Sequence, residues 1–324
     1  MKQLITILFT LCLTYAYSQN YKSIDEKVKN YPNYDQIDQL VLRVNNSFDT
    51  DTEKVRAYYT WIAHNVTYDL IKYYSIRPPV LGSSFNSASI NKSIENQKRK
   101  KIAKQVFKER KALCLGYSSL FTELCLKSNI EVEIIKGITK VSVNDIENPR
   151  YTKNHSWNAV KINNQWKLLD LTFASGYLNG NASQWVKHIN DFYFFIDPEI
   201  LLSSHLPEQS KFQFVPEPIS TEAFFKRPIF YKKYFESGLK MDNYQKGLLS
   251  VSKENKKIRI NFKDQKDHKD IYYKFNNEIK YKKLSLKQNT VDHYEAILKY
   301  RSDKSKVLSF FYDNHKILDF KIEQ

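Results

Sequence analysis

Two β-like runs, HSWNAVKI and QWKLLDLTF, meet at Asn163-Asn164, and this junction constrains the fold more than any other stretch. Consecutive asparagines tolerate the left-handed backbone that a two-residue hairpin turn requires. A turn there sets Ile162 opposite Gln165, and counting back sets Trp157 opposite Asp170 and His155 opposite Thr172. Strand side chains alternate faces with period two, so His155 and Asp170 become diagonal neighbours on one face, within reach of an imidazole–carboxylate hydrogen bond. A four-residue loop with the same centre keeps this pairing, whereas a three-residue loop breaks it.

What precedes the hairpin is helical. From about Tyr21 to Ser75 the pattern reads as helix, and TEKVRAYYTWIAHNVTYD sets Val55, Tyr58, Tyr59, Ile62 and Val66 on one apolar stripe behind an Asp51-Thr52 start. Residues 76–104 carry Pro-Pro, Gly-Ser-Ser, Asn and Lys clusters without a sustained period, which predicts a long loop or insertion. Helix returns from Gly116 to Ser128, with Leu120, Leu124 and Lys127 in step and Asn129 as the stop. EVEIIKGITKV then reads as a strand, so the centre of the chain runs helix, strand, hairpin.

Residues 192–236 are aromatic and proline-punctuated, as expected of a segment that packs over one domain and links it to the next. After Gly238 short runs at LLSV, KIRINF, IYYKF, EIKYKKL, EAILKY, VLSFFY and ILDFKI alternate with polar turns, predicting a β-sandwich of about seven strands. The expected organisation is a leader over 1–18, a first domain over 19–210, a linker over 211–237 and the sandwich over 238–324.

The leader, MKQLITILFTLCLTYAYS, pairs a lysine with an apolar run and ends in Ala16-Tyr17-Ser18, the small-residue pattern of a secretory cleavage site. A membrane anchor needs roughly 20 apolar residues, and this run is interrupted by Thr6, Thr10 and Thr14. The expectation is a secreted or periplasmic protein that is not integral to the membrane after cleavage. Cys12 falls inside the leader, which leaves Cys114 and Cys125. On one helix these two face the same way but stand roughly 16 Å apart along the axis, too far for a disulfide. The formal charge of +16 comes from lysines scattered through every segment, with no zinc-finger, RRM or helix-turn-helix pattern, so no nucleic acid is expected.

A free thiol in an exported protein invites a chemical explanation. Cys114, in KALCLGYSSLF, stands where a loop enters a helix, near the positive end of the helix dipole, which favours a thiolate. Taken singly, each residue has an ordinary reading: a buried structural cysteine, a structural histidine, an aspartate paired with a lysine. Together they make a nucleophile, a base and a group that fixes the base's tautomer, the set that nucleophilic acyl transfer requires. The remaining histidines lack metal-ligand spacing and no phosphate loop or GxSxG occurs, so neither metal nor cofactor is assigned.

At these residues the sequence resembles the transglutaminase-like superfamily, in the branch related to kyphoscoliosis peptidase. The resemblance runs over roughly residues 45–235 and lies in KVRAYYTWIAHNVTYD, KALCLGYSSLF, NHSWNAVKINNQWKLLDLTFASG and FYFFIDPEILLSSHLP with the following ISTEAFFKRP. It implies a papain-like α+β fold, a nucleophile-bearing helix start packed on an antiparallel sheet, here followed by an Ig-like β-sandwich. By position it makes Cys114 the nucleophile, His155 the base and Asp170 the orienter, with Tyr117 and Trp157 shaping the substrate cleft. It further implies a thioester formed on a protein or peptide carbonyl and passed to water or to an amine. A non-catalytic module of the same fold, gripping a cell-envelope polymer or protein, is the alternative.

Overall fold

A computed structural model describes residues 21–75, 88–180, 182–243, 245–263, 270–291 and 293–323. The leader with Cys12, and residues 76–87 of the expected loop, lie outside the described residues. The fold mixes helices with antiparallel sheet and divides into two compact units, one of residues 1–136 and 155–196, the other of 137–154 and 197–324. No helix among the described residues is long and apolar enough to cross a membrane.

In the first unit residues 21–29 form α1, followed by α2 (Ile37–Asn45) and α3 (Asp51–Asn65). Thr50 caps α3 rather than the Asp51-Thr52 pair: its hydroxyl accepts from the Glu53 amide while Glu53 accepts from the Thr50 amide, a reciprocal box that satisfies two orphan donors. The expected stripe of Val55, Tyr58, Tyr59, Ile62 and Val66 is fully buried, and so are Ala57 and Ala63 on other faces. α3 is thus the central helix. Burying each large side chain contributes about 1.5–3 kcal/mol. A short strand β1 (Thr67–Tyr68) and α4 (Leu70–Ser75) follow.

The loop expected over 76–104 needs correction, because residues Ala88–Glu109 form a 22-residue helix, α5. Its apolar anchors, Ile102, Ala103, Val106 and Phe107, crowd into the last turns, whereas the first half, ASINKSIENQK, is mostly Ser, Asn, Lys, Glu and Gln with only Ile90 and Ile94 as large apolar residues. Those polar residues are adequate helix formers for an exposed face, so propensity and packing of one end carry the whole length. Strand β2 (Lys111–Ala112) leads into α6 (Cys114–Lys127), which begins two residues earlier than the sequence pattern gave. A Cβ on Gly116 would approach Ala112 Cβ to 2.8 Å and Val106 Cγ2 to 2.9 Å, so glycine lets the first turn of α6 lie against β2 and α5.

The sheet behind α6 contains β3 (Val132–Thr139), β4 (His155–Ile162), β5 (Gln165–Leu169) and β8 (Phe194–Ile196), ordered β8-β5-β4-β3. Between β5 and β8 come α7 (Leu171–Ser175), β6 (Gly176–Leu178) and β7 (Trp185–Lys187), the last two forming a hairpin. Asn163 and Asn164 take φ of 49° and 62°, and Ile162 pairs with Gln165, as the two-asparagine turn predicts.

The second unit starts from the end of β3, which pairs with β9 (His205–Pro207) after α8 (Pro198–Leu201). Phe224 and Phe225 of α9 (Thr221–Lys226) pack with Ile138, Leu202 and Leu206. The buried Lys140 ammonium donates to the carbonyls of Phe224, Arg227 and Pro228. Residues 211–237 are therefore built into this unit rather than linking two bodies, and Ile229–Phe230 (β10) pairs with a strand of the sandwich. Strands β11 (Lys240–Met241), β12 (Leu248–Leu249), β13 (Lys257–Lys263), β14 (Ile271–Phe275), β15 (Lys282–Lys283), β16 (Lys287–Thr290), β17 (His293–Lys299), β18 (Val307–Tyr312) and β19 (His315–Ile322) complete it. One sheet runs β10-β19-β18-β14-β15 with β12 beside β19, the other β11-β13-β17-β16. Alternate residues such as Ile258, Ile260 and Phe262 face Phe310, Leu318 and Phe320 across one core, the sandwich that the short alternating runs predict.

Candidate active site

Asp170 is where the geometry of the site is decided. The β4–β5 ladder ends at Asn158 opposite Leu169, and Asp170 is the N-cap of α7 rather than a strand residue. Thr172 accordingly lies in α7 and does not face His155 across a ladder. One carboxylate oxygen, Oδ1, accepts from the amides of Thr172 at 2.8 Å and Phe173 at 3.1 Å, while Oδ2 meets His155 Nε2 at 2.6 Å. The Asp170 amide donates to the Tyr193 carbonyl. Capping holds the carboxylate in one orientation, fully buried, and aims its second oxygen at the imidazole.

His155 opens β4 and is itself buried. The Trp157 ring lies nearly parallel to the imidazole at 6.0 Å and the Phe173 ring at 5.0 Å. Burial disfavours the imidazolium, but the charge and hydrogen bond of Asp170, followed by the hydrogen bond and charge of Cys114, outweigh it and raise His155 to about 10. Cys114 is the first residue of α6 and remains partly exposed, as does Leu115 beside it. The structure pairs His155 with Asp170, with Cys114 near enough to act on the imidazole, and all three residues belong to one unit.

At the start of α6 the amides of Gly116 and Tyr117 already donate to the Leu113 carbonyl. Among the described residues no backbone carbonyl takes the N–H of Cys114 or Leu115. Those are the groups a helix start offers to a negative charge.

Tyr117 and Trp157 are corrected in position. Both are buried, at 0% and 1% exposure, so neither presents a face to an open cleft. Tyr117 donates its hydroxyl to the Val66 carbonyl and belongs to the core, while Trp157 backs the imidazole from behind.

The sequence reading passed over Tyr68 and Trp185. Tyr68 pairs with Ala112 in the β1–β2 ladder, two residues before Cys114, and stacks on Trp185 at 4.9 Å. Its hydroxyl is pushed up by burial first and by the nearby Cys114 charge second. The available signal for Tyr68 was its place at the end of HNVTYD. Trp185 had only its isolation in a polar stretch.

Residues 38–171 match the family described as the transglutaminase-like superfamily. Human kyphoscoliosis peptidase is 26% identical over 224 residues, which is 69% of this chain and 30% of that protein. The mouse protein of the same name is 25% identical over the same shares. Cytokinesis protein 3 of Schizosaccharomyces pombe is 25% identical over 259 residues, 78% of this chain and 26% of that protein. The chain thus spans less than a third of the length of these relatives. A solved structure described as that of a TGase is 16% identical with a TM-score of 0.29, covering 55% of this chain and 41% of its own. The family match takes in Cys114 and His155 and closes just past Asp170: this chain carries a transglutaminase-like domain of the branch that resembles kyphoscoliosis peptidase.

Proposed function

We propose that the protein is an exported cysteine acyl-transfer enzyme, acting on protein or peptide carbonyls through a thioester on Cys114, and a hydrolase rather than a crosslinking transferase. The observation that carries this reading is the 2.6 Å contact of a capped, buried Asp170 with His155 Nε2, in an imidazole whose protonation also responds to Cys114. The superfamily includes cysteine acyl-transfer enzymes, which agrees with it. Export is inferred from the leader sequence.

With Nε2 held by Asp170, Nδ1 is the nitrogen that exchanges a proton with the Cys114 sulfur. The thiolate attacks the carbonyl carbon, and the developing oxyanion lies near the N–H groups that open α6. Collapse breaks the C–N bond, the imidazolium gives its proton to the departing ammonia or amine, and a thioester remains. Water then attacks with Nδ1 as base, the C–S bond breaks, and the sulfur leaves as thiolate. An amine in place of water gives an isopeptide or amide product by the same steps.

The test is acid-quenched mass spectrometry after incubation with a pool of peptides rich in carboxamide side chains. A mass adduct on the peptide containing Cys114, absent from a folded Cys114→Ala variant, is expected. Absence of any such adduct, with a Cys114 that alkylates no faster than an ordinary thiol, would instead favour a binding module.

A further inference from the structure

Beside the nucleophile the first unit has a second feature that the chemistry does not use. Tyr68, Trp185, Leu70 and Ile71, together with the charged Asp69 and Lys111 and three further polar residues, line a recess of about 390 Å³. Its position is fixed by the strand that delivers Cys114. β1 lies parallel to β2, with the Thr67 amide donating to the Arg110 carbonyl at 2.9 Å and the Asp69 amide to the Ala112 carbonyl at 3.0 Å. Tyr68 therefore stands level with Ala112, one residue short of the turn into the helix that opens on Cys114.

Its flat surfaces are the two aromatic rings, Tyr68 and Trp185, set among polar side chains of Thr67, Asp69, Lys111, Ser183 and Gln184. Trp185 stacks on Tyr68 with 22° between the ring planes, and the Tyr73 ring reaches Tyr68 at 5.8 Å. The indole lies directly over Gly176, where an added Cβ would come within 2.3 Å of the Val186 carbonyl oxygen and 2.7 Å of the indole itself. The Tyr74 hydroxyl donates to the Ala182 carbonyl and so ties α4 to the β6–β7 hairpin. On the adjoining helix α4 the chain leaves apolar side chains in solvent: Ile71, part of the lining, is 82% exposed and Tyr74 61%, on a chain whose surface is otherwise rich in lysine. Exposed aromatic and apolar groups beside the candidate nucleophile offer a place where another molecule's side chain can be buried.

We propose that this recess is a specificity subsite which receives an aromatic side chain of the peptide substrate, on the acyl side of the reacting carbonyl, with Tyr68 and Trp185 as its walls. The proposal rests on the reading of Cys114 as the acyl-transfer nucleophile. An aromatic ring has the flat shape that edges of stacked rings accommodate, and it loses few rotatable bonds on binding.

The experiment uses the intact protein and four reagents. Three are peptidyl chloromethyl ketones ending in glycine, with phenylalanine at the first or second position before that glycine or with glycine throughout. The fourth is iodoacetamide, which carries no peptide. Rates on Cys114 are divided by the iodoacetamide rate of the same protein. One of the phenylalanine reagents is expected to react about tenfold or more faster than the all-glycine reagent. The preference should fall to near unity in Trp185→Ala and survive in Trp185→Phe, whose ring keeps the wall. Equal rates for all three peptidyl reagents on the wild type, or a preference untouched in a folded Trp185→Ala, would overturn the subsite. Failure of the nucleophile reading shows itself elsewhere, as an iodoacetamide rate indifferent to His155→Ala.

Discussion

The two cysteines of α6 share a helix and a residue type, yet their surroundings differ at every point that governs sulfur chemistry. Cys114 occupies the first turn, partly exposed, with His155 beside it and helix-start amides around it. Cys125, three turns on, is fully buried among the apolar side chains of the first unit, and burial pushes its thiol well up. Position along the helix, not the presence of a thiol, separates a candidate nucleophile from a small core residue.

The largest effect that breaks this comparison is expected from Cys114→Ala. Acyl-adduct formation should fall by at least about a thousandfold, read by mass spectrometry, with the circular dichroism spectrum retained because the side chain is partly exposed. Cys125 should resist labelling in the folded protein by on the order of a thousandfold relative to the urea-unfolded chain, since its exposure requires opening of the core. Appreciable labelling of Cys125 without denaturant would remove the contrast.

Asp170 separates chemistry from capping. In Asp170→Asn the amide oxygen still accepts from the Thr172 and Phe173 amides, but the charge on His155 is gone, and turnover should drop by roughly a hundredfold or more. Asp170→Ala loses the cap as well and should cost about 1 kcal/mol more in stability, measured by urea unfolding.

A gentler effect than the losses of turnover is in the pH dependence of stability. His155 is raised from an ordinary 6.5 to about 10, so the folded state holds a proton that the unfolded chain has lost between those values. Its contribution is fully present below pH 6.5 and disappears as pH rises through about 10. The stability difference between wild type and His155→Gln should therefore narrow by about 1–3 kcal/mol across that window. A difference that stays constant would mean the imidazole is not held charged.

Much of this was legible in residues that act locally. Asn163-Asn164 carries its own backbone preference, so the β4–β5 register followed from counting. Cys114 at the start of a helix followed from the return of apolar period after KAL. The sequence pattern could not place Asp170 as a cap, because LDLTF reads as continuing strand until tertiary packing turns Leu171–Ser175 into a helix. α5 stayed hidden because its apolar anchors sit at one end. Tyr117 was legible as a motif position but not as a core residue, since its burial comes from Val66 and the helices around it. Trp185 reaches Tyr68 only through the β6–β7 hairpin, a contact between residues distant in sequence that no local pattern encodes.

The central claim is that His155 activates Cys114, and the most direct measurement is the iodoacetamide alkylation rate of each cysteine across pH 5 to 10, in wild type and in His155→Ala. The account predicts that Cys114 of the wild type reacts at neutral pH on the order of tenfold or more faster than Cys114 of the variant, while buried Cys125 stays slow in both. A Cys114 rate that rises only with the ionisation of an ordinary thiol, and is the same in both proteins, would contradict it.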